Sequence, residues 1–320
     1  MDILILGGTG AMGTPLVEQL KIDKSNNLYV TSRRAIPSQE NVHYIKGNAK
    51  ESSFLKTLLH KEYDAIFDFM VYGSNELADR LPDFLEHTKQ YFFFSSSRVY
   101  AESEHPLTED SLRLLDASKD ELYLKTDEYA LAKAREENLL FNNEKKNWTI
   151  IRPYITYNDY RLQLGVFEKE NWLYRALQGR TIVLPKDIAE KRTTLTYGPD
   201  VASAIIKLIG KEKAFGQAFH VVNPEVVCWK DILNIYLDVI QKKTGKRIEV
   251  KIIENSKSLQ EIWNPWQIKY DRLFNRIFDS KKIEDVCGIY QYKKTKDGLS
   301  ECLENFLDNP KWLNINWRYE

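Results

Sequence analysis

The chain has 320 residues, 43% hydrophobic and 29% charged, which is enough to bury a sizeable core in one large or two ordinary domains and too apolar for a disordered chain. Lysine plus arginine equals aspartate plus glutamate at 46 each, so no overall charge draws the chain toward nucleic acid or a membrane. The three cysteines, Cys228, Cys287 and Cys302, have neither metal-ligand nor disulfide spacing, no run approaches the ~20 apolar residues of a membrane span, and Met1-Asp2 leads straight into a strand, so a cytoplasmic protein without metal or signal peptide is expected.

Ile3 to Leu6 is an apolar run that suits a buried parallel strand. Four glycines, Gly7, Gly8, Gly10 and Gly13, follow it, and Ala11 to Leu20 then reads as a helix. Strand, glycine turn and helix form the context that a dinucleotide-binding turn requires. Gly7 lets the chain turn off the strand, Gly10 removes a side chain where backbone must approach a pyrophosphate, and Gly13 lets the helix pack closely. The helix N-terminus offers unpaired N–H groups and a partial positive charge to phosphates. The turn residues Gly7, Thr9, Gly10, Ala11, Met12 and Gly13 are therefore the first candidate cofactor contacts.

Leu28 to Ser32 reads as the second strand. The position roughly 20 residues past the turn usually carries an acidic residue when the cofactor is NAD. Here the strand ends Thr31-Ser32-Arg33-Arg34, with no carboxylate. A small hydroxyl and guanidinium groups suit a 2′-phosphate, so Ser32 and Arg33 favour NADP(H), with NAD(H) left open. Val42 to Lys46 reads as a third strand ending at Asn48, Ala49 to His60 as a helix, and Tyr63 to Phe69 as a fourth strand followed by the bulky Met70-Val71-Tyr72. A helix over 75–88 contains Pro82, a place for a kink or break. The wholly apolar strand Tyr91 to Phe94 delivers Ser95, Ser96 and Ser97, then Arg98, Val99 and Tyr100. Ser118 to Glu121 fits a capping box that opens a helix. Tyr129 and Lys133, four residues apart, share one helix face. An ammonium near a phenol favours the ionised phenol, and such a pair can move a proton while hydride moves at the same carbon.

The Gly-x-x-Gly-x-x-Gly turn, the serine-bearing strand end and the Tyr-x-x-x-Lys pair resemble, in that order, the extended short-chain dehydrogenase/reductase family of nucleotide-sugar epimerases, dehydratases and reductases. The resemblance implies a Rossmann-like doubly wound parallel sheet with a smaller C-terminal α/β substrate lobe. The dinucleotide-binding part would span 1–152 plus about 193–225, and the substrate lobe 153–192 plus 226–320. It implies Tyr129 as acid/base, Lys133 as its partner and ribose ligand, and Ser96 as the hydroxyl that polarises the reacting oxygen, with Ser95 and Ser97 as alternatives. Asn48 stands where relatives usually carry Asp near the adenine, and Met70 where they carry small residues beside the cofactor. Arg152-Pro153 resembles the family's crossing into the substrate lobe. Tyr154, the segment to Arg161, and Arg192 before Asp200-Val201-Ala202 are candidate substrate contacts, Arg192 at a diphosphate. Trp172 and Tyr174 read as core, while Trp263, Trp266, Arg272 and Arg276 are further candidates for a base and phosphates. Ser97-Arg98 replaces the Asp-Glu pair that dehydratases place after their hydroxyl, which leaves epimerase or keto-reductase. The expected partner is a nucleotide-sugar, with no nucleic acid and no membrane, and a homodimer by analogy. The alternative is a non-catalytic NADP(H) sensor or an RNA- or partner-binding relative.

Overall fold

The computed structural model describes residues 1–288, 290–313 and 315. β1 (Asp2–Leu6) lies inside a seven-stranded sheet. Its residues Ile3 to Leu6 have no exposure, as a strand covered on both faces requires. Alternation sends Ile3 and Ile5 to one face, against Leu16, Val17 and Leu20 of α1 (Gly13–Leu20) and Val201, Ala202 and Ile205 of the helix Gly198–Ile206. Leu4 and Leu6 go to the other, against Leu55 and Leu58 of the helix Ser52–Leu58 and Leu77, Leu81 and Phe84 of the helix Ser74–Glu86.

The remaining strands are β2 (Asn27–Ser32), β3 (Val42–Lys46), β4 (Ala65–Asp68), β5 (Tyr91–Phe94), β6 (Trp148–Pro153) and a last strand, Gln217–Val221. Their spatial order is the last strand, β6, β5, β4, β1, β2, β3, and every pairing is parallel. Ile3 faces Leu28 on one side and Ala65 on the other, so the chain reverses its direction of travel at β1. That reversal opens a crevice at the carboxyl ends of β1 and β4, where α/β folds bind ligands. The sheet is the doubly wound Rossmann-like arrangement expected from the sequence.

A third apolar cluster is built from the helices Lys169–Leu177, Trp229–Thr244 and Thr295–Asp308. They pack beside a parallel pair, Ile182–Pro185 with Val250–Ile253. Trp172 stacks on Tyr236 with ring centroids 4.6 Å apart, which makes it core. Trp312 packs edge-on against Phe306 and Tyr174, so the tail docks there, while Asn314 and 316–320 fall outside the described residues.

Local expectations differ from the structure at three places. The helix Ser74–Glu86 runs through Pro82 without a break, at the cost of one N–H donor to the Ala78 carbonyl. The segment Arg192 to Tyr197, whose residues read as one strand, is two two-residue strands, Arg192–Thr193 antiparallel to Val227–Cys228 and Thr196–Tyr197 parallel to Thr156–Tyr157. The capping residue near 120 is Asp120, which accepts from the Tyr123 N–H at 3.1 Å and opens only Glu121–Leu124. Lys269 and the Tyr270 hydroxyl also donate to this carboxylate, which ties the short helix to a distant segment. The helix Tyr129–Phe141 starts afresh, with the Glu128 carboxylate accepting from the Ala130 N–H. Among the described residues no helix is long and apolar enough to cross a membrane.

Candidate active site

The glycine turn is shaped by close approach. Gly7 has φ +70° and donates its N–H to Thr31 Oγ1 at the end of β2, at 2.9 Å. A Cβ on Gly13 would lie 2.6–2.7 Å from the Gly8 backbone, so the start of α1 rests directly on the turn. The nearest atom to a Cβ on Gly10 would be the Gly7 carbonyl at 3.9 Å. Thr9 and Gly10 are exposed, so the turn offers open backbone where a pyrophosphate would sit. Asn158 Nδ2 donates to the Ala11 carbonyl at 3.1 Å and braces the turn from a segment far along the chain.

A cavity of about 320 Å³ opens beyond the carboxyl ends of β1, β4 and β5. Met12, Met70, Ser96, Tyr129, Lys133 and Tyr154 all line it, so one space gathers these residues from separate stretches of the sequence. Phe69, Val71, Arg98, Arg161, Gln163, Gln267 and Arg272 complete much of its wall. The three serines divide by their partners. Ser97 is fully buried and donates to the Arg152 carbonyl at 2.8 Å, which makes it structural. Ser96 Oγ accepts from the Arg98 N–H at 3.2 Å and faces the cavity, as does Ser95, whose buried Oγ has no hydrogen-bond partner. Lys133 is buried, and its Nζ donates to Glu136 Oε2 at 2.9 Å, one turn further along the same helix.

The charged lining of the cavity is entirely cationic: Arg98, Lys133, Arg161 and Arg272. Their carboxylate partners stand behind them. Arg98 Nη2 donates to Glu128 Oε1 at 2.6 Å, its Nε lies 3.7 Å from Asp271, and its guanidinium covers the Tyr129 ring, 5.2 Å from the centroid. Asp271 is buried and also pairs with Arg272 and Arg276. Burial pushes its carboxyl up, but the surrounding guanidiniums outweigh this and hold it below the usual carboxylate range. Tyr154 donates its hydroxyl to the same Asp271, at 3.2 Å.

The other candidates lie elsewhere. Ser32 is buried at the end of β2, with Oγ accepting from the Arg34 N–H at 3.1 Å. Arg33 and Arg34 are exposed, and neither side chain has an ion-pair partner among the described residues. Asn48 closes a local turn, accepting from the Lys50 N–H and donating to Glu51. Arg192 is exposed on its two-residue strand and is not part of the cavity wall, where Arg161 and Arg272 stand instead. Arg276 is turned inward, donating to Asp271 and to the carbonyls of Tyr100 and Tyr270. Trp263 borders a different, apolar cavity, and Trp266 packs on Tyr123. Sequence reasoning missed Glu136 and the structural tie of Arg98. Glu136 was visible only as an acidic residue three positions after Lys133, a pattern common on solvated helix faces.

A parallel sheet with a glycine turn at its switch point, and a serine, tyrosine and lysine around the crevice, defines a Rossmann-fold protein of short-chain dehydrogenase/reductase type. The chain belongs to the NAD dependent epimerase/dehydratase family, whose model matches residues 3–223, and a nicotinamide dinucleotide is that family's cofactor. Its fold is similar to that of dTDP-glucose 4,6-dehydratase from Bacillus anthracis str. Ames in complex with NAD (TM-score 0.74, 15% identity, 98% of each chain). It is similar also to UDP-glucuronic acid 4-epimerase from Bacillus cereus in complex with UDP-glucuronic acid and NAD (TM-score 0.70, 15% identity, 96% of this chain and 99% of that one). A third such structure is UDP-N-acetylglucosamine 4-epimerase from Methanobrevibacter ruminantium M1 in complex with UDP-N-acetylmuramic acid (TM-score 0.71, 17% identity, 96% and 98%). Among curated proteins, the chloroplast stem-loop binding protein of 41 kDa b from Arabidopsis thaliana is 24% identical over 244 residues, 70% of this chain. The match spans 59% of that relative's length.

Proposed function

We propose that this chain is an NADP(H)-dependent oxidoreductase acting on a nucleotide-linked sugar, as an epimerase or a keto-reductase. The observation that carries this reading is the meeting of Ser96, Tyr129 and Lys133 with Met12 and Met70 in one cavity at the strand ends. The nicotinamide, when bound, supplies or accepts the hydride. Tyr129 gives or takes the proton at the reacting oxygen, and Ser96 donates a hydrogen bond to that oxygen as charge develops on it. Lys133 holds the ribose side of the cofactor, the glycine turn holds the pyrophosphate, and Arg33 pairs with a 2′-phosphate. Arg161 and Arg272, with Tyr154, take the place once given to Arg192 as candidates for the phosphates of the sugar nucleotide. In this reading residues 1–152 and about 193–225 form the cofactor lobe, and 153–192 with 226–320 the substrate lobe.

The test is mass analysis of nucleotide released from the denatured protein, followed by NADPH and NADH titrations of the emptied protein. Retained NADP(H) supports an epimerase, and an empty protein that prefers NADPH supports a reductase. Preference for NADH overturns the role of Arg33, and binding of neither nucleotide overturns the enzyme reading. Tyr129→Phe should abolish turnover and leave cofactor binding nearly intact.

One observation favours a second reading. The Arabidopsis relative is named as a stem-loop binding protein, so RNA binding on the same fold is the alternative. Gel-shift titration with a stem-loop RNA at physiological salt separates the two. Tight RNA binding that Tyr129→Phe leaves unchanged, without nucleotide-sugar turnover, favours the alternative.

A further inference from the structure

Beneath the cavity, behind Lys133 and Met70, lie two buried carboxylates that the chemistry above does not use. Asp68 ends β4 with no exposure and accepts three hydrogen bonds: from the Tyr91 hydroxyl at 2.8 Å, the Met70 N–H at 3.0 Å and the Tyr72 hydroxyl at 3.2 Å. Glu136 also has no exposure. One of its oxygens takes the Lys133 ammonium, and the other, Oε1, has no hydrogen-bond partner. The Lys133 ammonium pulls on both carboxylates, and the Asp68 charge in turn raises Glu136. The remaining neighbours are Phe93, whose ring Lys133 covers at 4.6 Å, and more distantly Asp127 and Arg80.

The charge balance decides the behaviour. Two ionised carboxylates against one ammonium would leave an uncompensated charge in a dry site, which is expensive. Of the two, Asp68 carries the donors that make ionisation accessible. Burial pushes its carboxyl up to about 6 against the pull of those donors, and burial also raises Glu136. The titration belongs to the pair, because each carboxylate feels the other.

We propose that Asp68 and Glu136 share one exchangeable proton beneath Lys133, and that its release makes the site favour the oxidised, cationic form of a nicotinamide cofactor over the reduced form. This rests on the cofactor reading above. The step is a simple ionisation: the carboxyl O–H breaks, the proton leaves to solvent, and the negative charge stays under the cavity. An oxidised nicotinamide carries one more positive charge than a reduced one, so only the oxidised form gains from that charge. By linkage, the oxidised form in turn drives the proton off.

The experiment measures affinities for NADP⁺ and NADPH at constant ionic strength from about pH 4.5 to 8.5, which reaches below and above the raised carboxyl at about 6. Each titration is read promptly, because the reduced dinucleotide decays in acid. Ionisation of the cofactor's own phosphates affects both forms and cancels in the ratio. In the wild type the ratio of oxidised to reduced affinity should rise about fivefold across this range, the low end of measured site coupling. Asp68→Asn keeps the shape and an acceptor oxygen for the Tyr72 hydroxyl and the Met70 N–H, its amide nitrogen donates to the Tyr91 hydroxyl, and it should give a flat ratio. Glu136→Gln removes the like charge and should move the rise to lower pH. A flat ratio in the wild type, an equal rise in Asp68→Asn, or an unmoved midpoint in Glu136→Gln overturns the proposal while leaving the cofactor reading standing. Failure of either nucleotide to bind overturns the cofactor reading itself.

Discussion

Gly10 and Gly13 lie three residues apart in one turn, and the structure gives them opposite sensitivities. Gly10 is outside the positive-φ region, and a Cβ there meets nothing nearer than the Gly7 carbonyl at 3.9 Å. Gly10→Ala should therefore leave the fold intact and stabilise it by about 0.4–1 kcal/mol, through the lower entropy of the unfolded chain. For a chain of this size that is an increase in Tm of about 1–3 °C. The added methyl occupies the open side of the turn, where a pyrophosphate must approach the backbone. Dinucleotide affinity should fall at least tenfold, which is ~1.4 kcal/mol. Gly13→Ala is the reverse case. Its Cβ would press against three backbone atoms of Gly8 at 2.6–2.7 Å, and backbone cannot rotate away as a side chain can. The strain, about 1–3 kcal/mol by analogy with overpacked cores, exceeds the helix-propensity gain of at most ~1 kcal/mol. Thermal denaturation of both variants, with NADPH titration of each, checks the pair. Undiminished binding in Gly10→Ala would refute the turn as a phosphate cradle. Wild-type stability in Gly13→Ala would refute the close-approach argument.

Three further outcomes follow from hydrogen bonding around the site. Ser96→Ala should abolish turnover and cost about 0.5–1 kcal/mol of stability through the lost bond from the Arg98 N–H. Ser97→Ala should retain turnover and lose about 1 kcal/mol in urea denaturation, because it orphans the buried Arg152 carbonyl bond; reversed effects would move the polarising role to Ser97. Glu137 receives two charge-assisted bonds from Arg152, at 2.7 and 2.8 Å, with both side chains buried. Glu137→Ala should cost about 3–5 kcal/mol by stranding that guanidinium, and a loss under 1 kcal/mol would show that water reaches it.

Much of the fold was legible in the residue order because its cause is local. A wholly apolar strand demands cover on both faces, and a glycine turn at its end demands a helix packed close behind. Tyr129 and Lys133 stand out as candidates by type and spacing, and Ser96 by the resemblance of its strand end to the family's; the structure brings all three to one cavity. Features that depend on partners far along the chain were not legible. In the sequence Arg98 stands only as half of the Ser97-Arg98 pair that replaces the Asp-Glu of dehydratases. It becomes part of the cavity through Asp271, which arrives from a segment more than a hundred residues later. Arg192 looked suited to a diphosphate until pairing of its strand with Val227–Cys228 set it outside the cavity wall.

The sequence by itself determined the parallel sheet, the glycine turn with its close-packed helix, and the order of the candidate groups along the chain, since short-range sterics and side-chain periodicity write these directly into the residues. Only the tertiary structure decided that Ser95 and Ser96 line the cavity while Ser97 turns away, that Lys133 leans on Glu136, and that Asp68 lies fully buried among three donors. Those outcomes turn on desolvation and on hydrogen-bond partners, and both exist only once distant segments have packed together.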